Sequence, residues 1–166
     1  MPLTDGDVVR IQEHTQDAPA DFVRFVDRSS IDLDDEPEAF ALLRQGKRVM
    51  ILRHQDGGCR YLGDDDRCTI YEARPLGCRI FPFDPSWDKK GGLRRLRLID
   101  AADCRYELDG QNDLDEMRDL HQRYEAATAV YQQKIADWNR LQQRRKRQGK
   151  QAQTARQFLS YLGIGE

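Results

Sequence analysis

The chain has 166 residues and a mass of 19.3 kDa, which sets one domain as the expectation and allows a core without disulfide support. Its 39% hydrophobic and 34% charged residues, with a mean hydropathy of −0.83, describe a polar but foldable chain, and its longest apolar run, residues 39–43, is far too short to cross a bilayer. With 27 Lys and Arg against 29 Asp and Glu, the net charge of −2 argues against broad attachment to nucleic acid, so any such contact has to be local.

Met1, Pro2, Leu3, Thr4 and Asp5 form neither a basic leader nor an apolar stretch, which makes the cytoplasm the expected compartment. Thr4 reads as a helix N-cap with Asp7 three positions on, and Val8 and Ile11 begin a helical stripe. A second short helix is expected from Pro19, turning Phe22, Val23, Phe25 and Val26 inward. Asp34, Asp35 and Glu36 ahead of Pro37 predict a third, which buries Phe40, Leu42 and Leu43 and is ended by Gly46. None of these carries obvious chemistry.

From Lys47 the pattern changes. Val49, Met50, Ile51 and Leu52 form a strand-like run, and Asp56, Gly57 and Gly58 supply a turn that returns the chain through Cys59, Arg60, Tyr61 and Leu62 as a hairpin. A polar turn over 63–67 leads to an extended Cys68, Thr69, Ile70 and Tyr71. Pro75, Gly77, Pro82 and Pro85 exclude a long regular element before Trp87, so something other than ladder hydrogen bonds is expected to hold this stretch. Leu93, Leu96 and Leu98 alternate with arginines as a further strand, and Cys104 follows in a loop.

Asn112 reads as the N-cap of one long helix running to about Gln148. Its stripe is Leu114, Met117, Leu120, His121, Tyr124, Thr128, Tyr131, Ile135, Trp138 and Leu141. At about 1.5 Å per residue this rod exceeds about 50 Å, so part of it projects or packs on a partner. Gly149 breaks it, and Phe158, Leu159, Tyr161 and Leu162 predict a short amphipathic end helix. The expected class is α+β: an irregular Cys-rich β-hairpin core, short N-terminal helices and one long C-terminal helix. Residues 1–110 form the cysteine-bearing domain, 111–148 the long helix and 149–166 the terminal piece.

The four cysteines, Cys59, Cys68, Cys78 and Cys104, are separated by 8, 9 and 25 residues, with no CxxC pair. In a reducing compartment cysteines gathered in one region read as metal ligands or reactive thiols, with small buried core residues as the bland reading. Each has an arginine beside it: Arg60, Arg67, Arg79 and Arg105. Guanidinium groups are suited to balancing the negative charge of a thiolate cluster.

Cys59, Arg60, Tyr61, Leu62 and then the string C-T-I-Y-E-A-R-P-L-G-C-R-I-F-P-F over 68–83 resemble the YkgJ-like cysteine-cluster proteins. That zinc- or iron-chelating group also takes in relatives of flagellin lysine N-methylase. Leu3, Thr4, Asp7, Val8 and Ile11 resemble the segment that follows the family's first cysteine motif. The resemblance implies Cys59, Cys68 and Cys78 as ligands, and Cys104 joins them on local context and ligand count. It also implies a CxxxCxxCC-type cluster ahead of Leu3 and Thr4 that this chain lacks, so either the natural start lies upstream of Met1 or the site is reduced. Four thiolates hold at most one Zn²⁺ or one iron–sulfur cluster.

Metal binding is therefore the expected function, structural for zinc in a closed four-thiolate shell and open to electron transfer or a methylation partnership for a cluster. The rival is an adaptor that presents Tyr124, Tyr131 and Trp138 on the long helix to a protein partner. A methylase-related activity rests on family analogy alone, since no GxGxxG, P-loop, GxSxG or HExxH occurs. His54 is a candidate nitrogen ligand or an exposed strand end, and His14 and His121 lack clustered partners. Asp64, Asp65 and Asp66 read as a solvated turn. The run Arg144, Arg145, Lys146, Arg147 reads as charge favoured at a helix C-terminus, with RNA or an acidic partner as the sharper reading.

Overall fold

A computed structural model describes every residue except 32, 34, 35, 56, 100–112 and 166. Asp34, Asp35, Asp56, Cys104, Arg105 and Asn112 thus lie outside the described residues. The class is α+β.

Helix α1 (Asp5–Thr15) starts at the expected cap, with Thr4 and Asp7 forming a reciprocal capping box. Helix α2 (Pro19–Phe22) is only one turn long, and the chain continues as strand β1 (Val23–Val26), so Phe25 and Val26 are placed by a strand and not by the predicted helix. The third predicted helix is also corrected. Pro37–Ala39 is a 3-10 turn, after which the chain runs as β2 (Ala41–Leu43), turns, and returns as β3 (Gly46–Leu52). Gly46, at φ 102, opens β3 opposite Leu43 and does not end a helix. A short apolar run carries no period that distinguishes helix from strand, and here strand pairing wins.

The three strands form an antiparallel sheet in the order β1-β3-β2, with Val23 opposite Leu52 and Ala41 opposite Arg48. The N-terminal residues extend this sheet beyond the end of β2, since Leu3 N–H donates to Met50 O (2.9 Å) and Leu52 N–H donates to Met1 O (2.9 Å). The chain turns where expected, but the hairpin is only the short ribbon β4 (His54–Gln55) and β5 (Gly58–Cys59); the run 49–52 pairs with β1 and not with 59–62 as predicted.

In the proline-rich stretch no long element forms, as expected, but two short ones do, helix α3 (Leu76–Ile80) and strand β6 (Phe83–Trp87). Strand β7 (Leu93–Leu98) pairs with β6 over its whole length, Pro85 lying opposite Leu96. Ladder bonds do hold this segment. A two-stranded ribbon has only outer edges, where a proline without an N–H is tolerated.

Helix α4 (Leu114–Arg147) is the expected rod, but its N-cap is Asp113 and not Asn112: the Asp113 carboxylate accepts from the amides of Asp115 (2.9 Å) and Glu116 (3.0 Å). Its first half packs on α3 and carries Arg118 over the Trp87 ring at 5.2 Å, and its second half crosses β2. Two side chains complete the outer edge of that strand. Trp138 Nε1–H donates to Leu42 O (2.9 Å), while Asn139 accepts from Leu42 N–H (2.6 Å) and donates to Phe40 O (2.9 Å).

Helix α5 (Ala155–Tyr161) folds back so that Phe158 meets Trp138 with ring centroids 5.0 Å apart. Leu3, Val8, Ile11, Phe22, Met50, Ile135, Trp138 and Phe158 form the main core. Tyr131 and Trp138 face this core and are buried, whereas Leu114 and Leu141, predicted on the same stripe, are exposed. No helix among the described residues is long and apolar enough to cross a membrane.

Tyr61 ties the Cys-rich segment to the core, its hydroxyl donating to Asp17 Oδ2 at 2.9 Å. Burial, then the Asp17 carboxylate, push its phenol up to about 12. The neutral phenol is favoured by the fold, so its contribution is complete below the unfolded value near pH 10 and is lost as pH rises toward 12. Tyr61→Phe is expected to cost about 1 kcal/mol at neutral pH and to flatten the fall in thermal midpoint between pH 10 and 12. An identical alkaline profile in parent and variant would contradict this.

Candidate metal centre

Three of the four predicted ligands are described, each half-buried and free of disulfide linkage. Cys59 ends β5, opposite His54. Past it the chain makes the polar turn expected over 63–67, closed by Gly63 N–H to Arg67 O (2.8 Å) with Asp66 at φ 60. It then runs back beside itself. Cys68 bridges to Leu62, and Thr69 donates to Tyr61 O through its amide (2.9 Å) and its hydroxyl (3.1 Å). Cys59 and Cys68 therefore lie on two short antiparallel pieces, both packed against the main core. The extended run predicted over 68–71 stops early, because Tyr71–Ala73 is a 3-10 turn.

Cys78 is the third residue of α3. Burial pushes its thiol up to about 11, with the neighbouring Cys59 adding to the rise, the Met1 amino group opposing it, and Cys68 adding again. Cys78 thus lies near enough to Cys59 and Cys68 to feel both. Left to itself Cys78 stays a neutral thiol, and a divalent cation reverses that preference because metal ligation requires the thiolate. Among the described residues no three His, Cys, Asp or Glu side chains are drawn together closely enough to enclose an ion. The donors suit a thiophilic ion in chemistry, and closing on one calls for local adjustment of α3 and of the 59–68 loop.

The residue that positions α3 is one to which the sequence reading gave no chemistry. Asp7 is 2% exposed and accepts four hydrogen bonds. One oxygen takes Thr4 N–H and Thr4 Oγ1–H (both 2.9 Å), and the other takes Leu76 N–H (3.0 Å) and the Arg10 guanidinium. Arg10 also donates to Arg74 O (3.1 Å). The first amide of α3, two residues before Cys78, is therefore pinned to the first turn of α1. The local capping box was readable from Thr4 and Asp7, but the long-range bond to Leu76 has no sequence signal.

The arginines beside the cysteines are engaged elsewhere. Arg60 lies 3.5 Å from Asp17 and over the Tyr61 ring. Arg67 is exposed near Asp65, and Arg79 donates to Glu72 O and Arg74 O. Arg74 stacks on Tyr71 at 3.8 Å, and Asp84 pairs with Arg97. The hydrogen bonds and ion pairs of Arg60, Arg67 and Arg79 thus go to groups other than the cysteines they adjoin. Gly77, read from the sequence as one of the residues that break regular structure, sits inside α3. A Cβ there would stand 2.8 Å from Met1 Sδ and 3.7 Å from the Tyr124 ring, so its role is close packing. His54 is exposed at the ribbon end, while His121 lies 3.5 Å from Glu125 and 6.4 Å from the Trp87 ring.

One family model, CxxCxxCC, described as "Putative zinc- or iron-chelating domain", matches residues 2–117, a span that holds all four cysteines and ends in the first turns of α4. Searches of curated proteins and of solved structures returned no match.

Proposed function

From a chain that belongs to the CxxCxxCC family of zinc- or iron-chelating domains, we propose a metal-binding protein that holds one Zn²⁺ or one iron–sulfur cluster through Cys59, Cys68, Cys78 and Cys104. What supports this reading most directly is the family match over a span that holds all four cysteines, with Cys78 near enough to Cys59 and Cys68, 19 and 10 positions earlier, for both to raise its thiol. Cysteines serving only as core filler have no reason to gather at one edge of a core otherwise built from Leu, Val, Ile and aromatic residues. The bound ion fastens α3 and the 59–68 loop to each other, where few ladder bonds do so. Its role is structural for zinc, and redox chemistry is what a cluster supplies.

The YkgJ-like relationship and its additional N-terminal cysteines belong to the same proposal. Met1 lies against Gly77, so a longer chain carrying that cluster ahead of Leu3 would bring its thiols in beside Cys78. A cytoplasmic setting would keep the thiols reduced. Tyr131 and Trp138 are committed to the chain's own core, which leaves Tyr124 alone of the three aromatics for the adaptor reading.

Purification without oxygen, followed by elemental analysis and a visible spectrum, tests the proposal. Iron with acid-labile sulfide and a brown colour would establish a cluster, and one zinc per chain without colour would establish the structural ion. A chain that carries neither metal, and takes up neither after reduction, would refute it.

A further inference from the structure

We propose that the end of the molecule where α4 passes into α5 is a docking surface for the phosphate backbone of a nucleic-acid duplex. Beyond Asp137 the chain carries seven basic residues and Glu166 as its single acidic one, while 20 basic and 28 acidic residues stand from Met1 to Asp137. The net charge of −2 therefore conceals a body of −8 and a tail of +6. This is the local concentration of charge that a small overall value does not rule out.

The fold enlarges that concentration with residues about 100 positions away. The turn between β2 and β3 is bonded to the linker that follows α4, through Arg44 N–H to Gln153 O (2.8 Å) and Arg44 Nε–H to Ala152 O (3.5 Å). Arg145 Nε–H reaches Gln151 O (3.4 Å), and Lys150 N–H reaches Arg145 O (3.0 Å). Fully buried Gln142 fixes the linker, accepting from Gln153 N–H and donating to Gln153 Oε1, each at 3.0 Å. The β2–β3 turn, with Arg44 before it and Lys47 just after it, thus lies at the same end of the molecule as the C-terminal turn of α4 and Lys150. Among the described residues, no carboxylate lies within 4.0 Å of any of these cations.

The helix dipole accounts for cations in the last turn of α4. It does not account for Arg44 and Lys47, which belong to a strand turn. The exposed residues between the cations are Gln45, Gln143, Gln148, Gly149 and Gln151, and the glutamines suit phosphate and sugar oxygens; Leu141 is an exposed apolar side chain beside the run, and one leucine is a weak anchor in a lipid surface. No exposed aromatic stands among them, since Tyr161 lies back toward the Lys134 carbonyl, so base stacking on a single strand is not supplied. Four of the seven cations are arginines, which suit bidentate contact with phosphate.

The test is fluorescence anisotropy of the full chain with labelled DNA and RNA duplexes of about 20 base pairs, roughly two helical turns. Poly-glutamate and phosphatidylglycerol vesicles serve as rival anions, and KCl is varied from about 20 to about 300 mM. Binding to either duplex is expected, with log affinity falling against log salt at a slope of about −3 to −5. The stronger of the two duplexes identifies the source of the backbone. Arg44→Ala/Lys47→Ala, at an unchanged thermal midpoint, is expected to weaken binding about tenfold at low salt and to reduce the slope by about 1 to 2. The proposal is overturned if neither duplex binds at about 20 mM salt, if poly-glutamate or the vesicles compete as well as the duplex, or if the double variant binds like the parent.

Discussion

Asp7→Ala is expected to destabilise the protein by about 3 kcal/mol, which for a chain of this length is a fall of roughly 6–12 °C in the thermal midpoint. Two terms add. The α1 cap loses both of its Thr4 bonds, at about 1 kcal/mol. In addition, Leu76 N–H and the partly buried Arg10 guanidinium lose an acceptor that water cannot fully replace. Asp7→Asn keeps an oxygen for Leu76 and loses the charge facing Arg10, so roughly half the penalty is expected. Denaturant titration measures both. Because Asp7 holds the start of α3, the alanine variant should also let a thiol reagent reach Cys78 faster, with little change at Cys59. A midpoint within about 1 °C of the parent would mean that the four hydrogen bonds carry no net stability.

Cys78→Ser is expected to abolish stoichiometric metal binding while leaving the metal-free fold nearly intact. The side chain is half-buried and contributes a sulfur to a region already lined by Cys59 and Cys68, so without metal the change should cost no more than about 1 kcal/mol. With metal at about 100 times its dissociation constant the parent gains about 2.7 kcal/mol, a gain that the variant forfeits. Parent and variant should therefore melt together in chelator and apart when loaded. Equal metal content in the two proteins would remove Cys78 from the ligand set. A variant already unstable in chelator would mark the cysteine as core instead.

Much of the fold was legible because local chemistry and tertiary packing agreed. Thr4 and Asp7 cap α1 as read, the hairpin turns at Gly57, and the spacing of Tyr131, Ile135 and Trp138 gives the buried face of α4. Where the reading failed, long-range pairing decided. Phe40, Leu42 and Leu43 fit a helix as well as a strand, until Arg48 and Lys47 offer a ladder on one side and Asn139 and Trp138 close the other. Pro85 argued against a strand, but a ribbon with two free edges accommodates it.

At the site, the motif singled out Cys59, Cys68 and Cys78, while the elements that carry them were not readable from it. Arg60, Arg67 and Arg79 looked like charge partners because they adjoin the cysteines in sequence. In space each is drawn to Asp17, to solvent near Asp65, or to backbone carbonyls. Adjacent residues of an extended chain point to opposite sides, so sequence adjacency is poor evidence for a shared site. Asp7, 71 positions before Cys78, had no pattern to announce it.

The pairing of Met1 and Leu3 with β3, beside Gly77 in α3, bears on how the protein should be handled in the laboratory. A polyhistidine tag fused ahead of Met1 would hang its imidazoles next to Cys78, where they could capture nickel or zinc and counterfeit a native ion. A purification handle ahead of Met1 therefore has to be cleaved off before elemental analysis, so that the metal content reports the protein and not its tag.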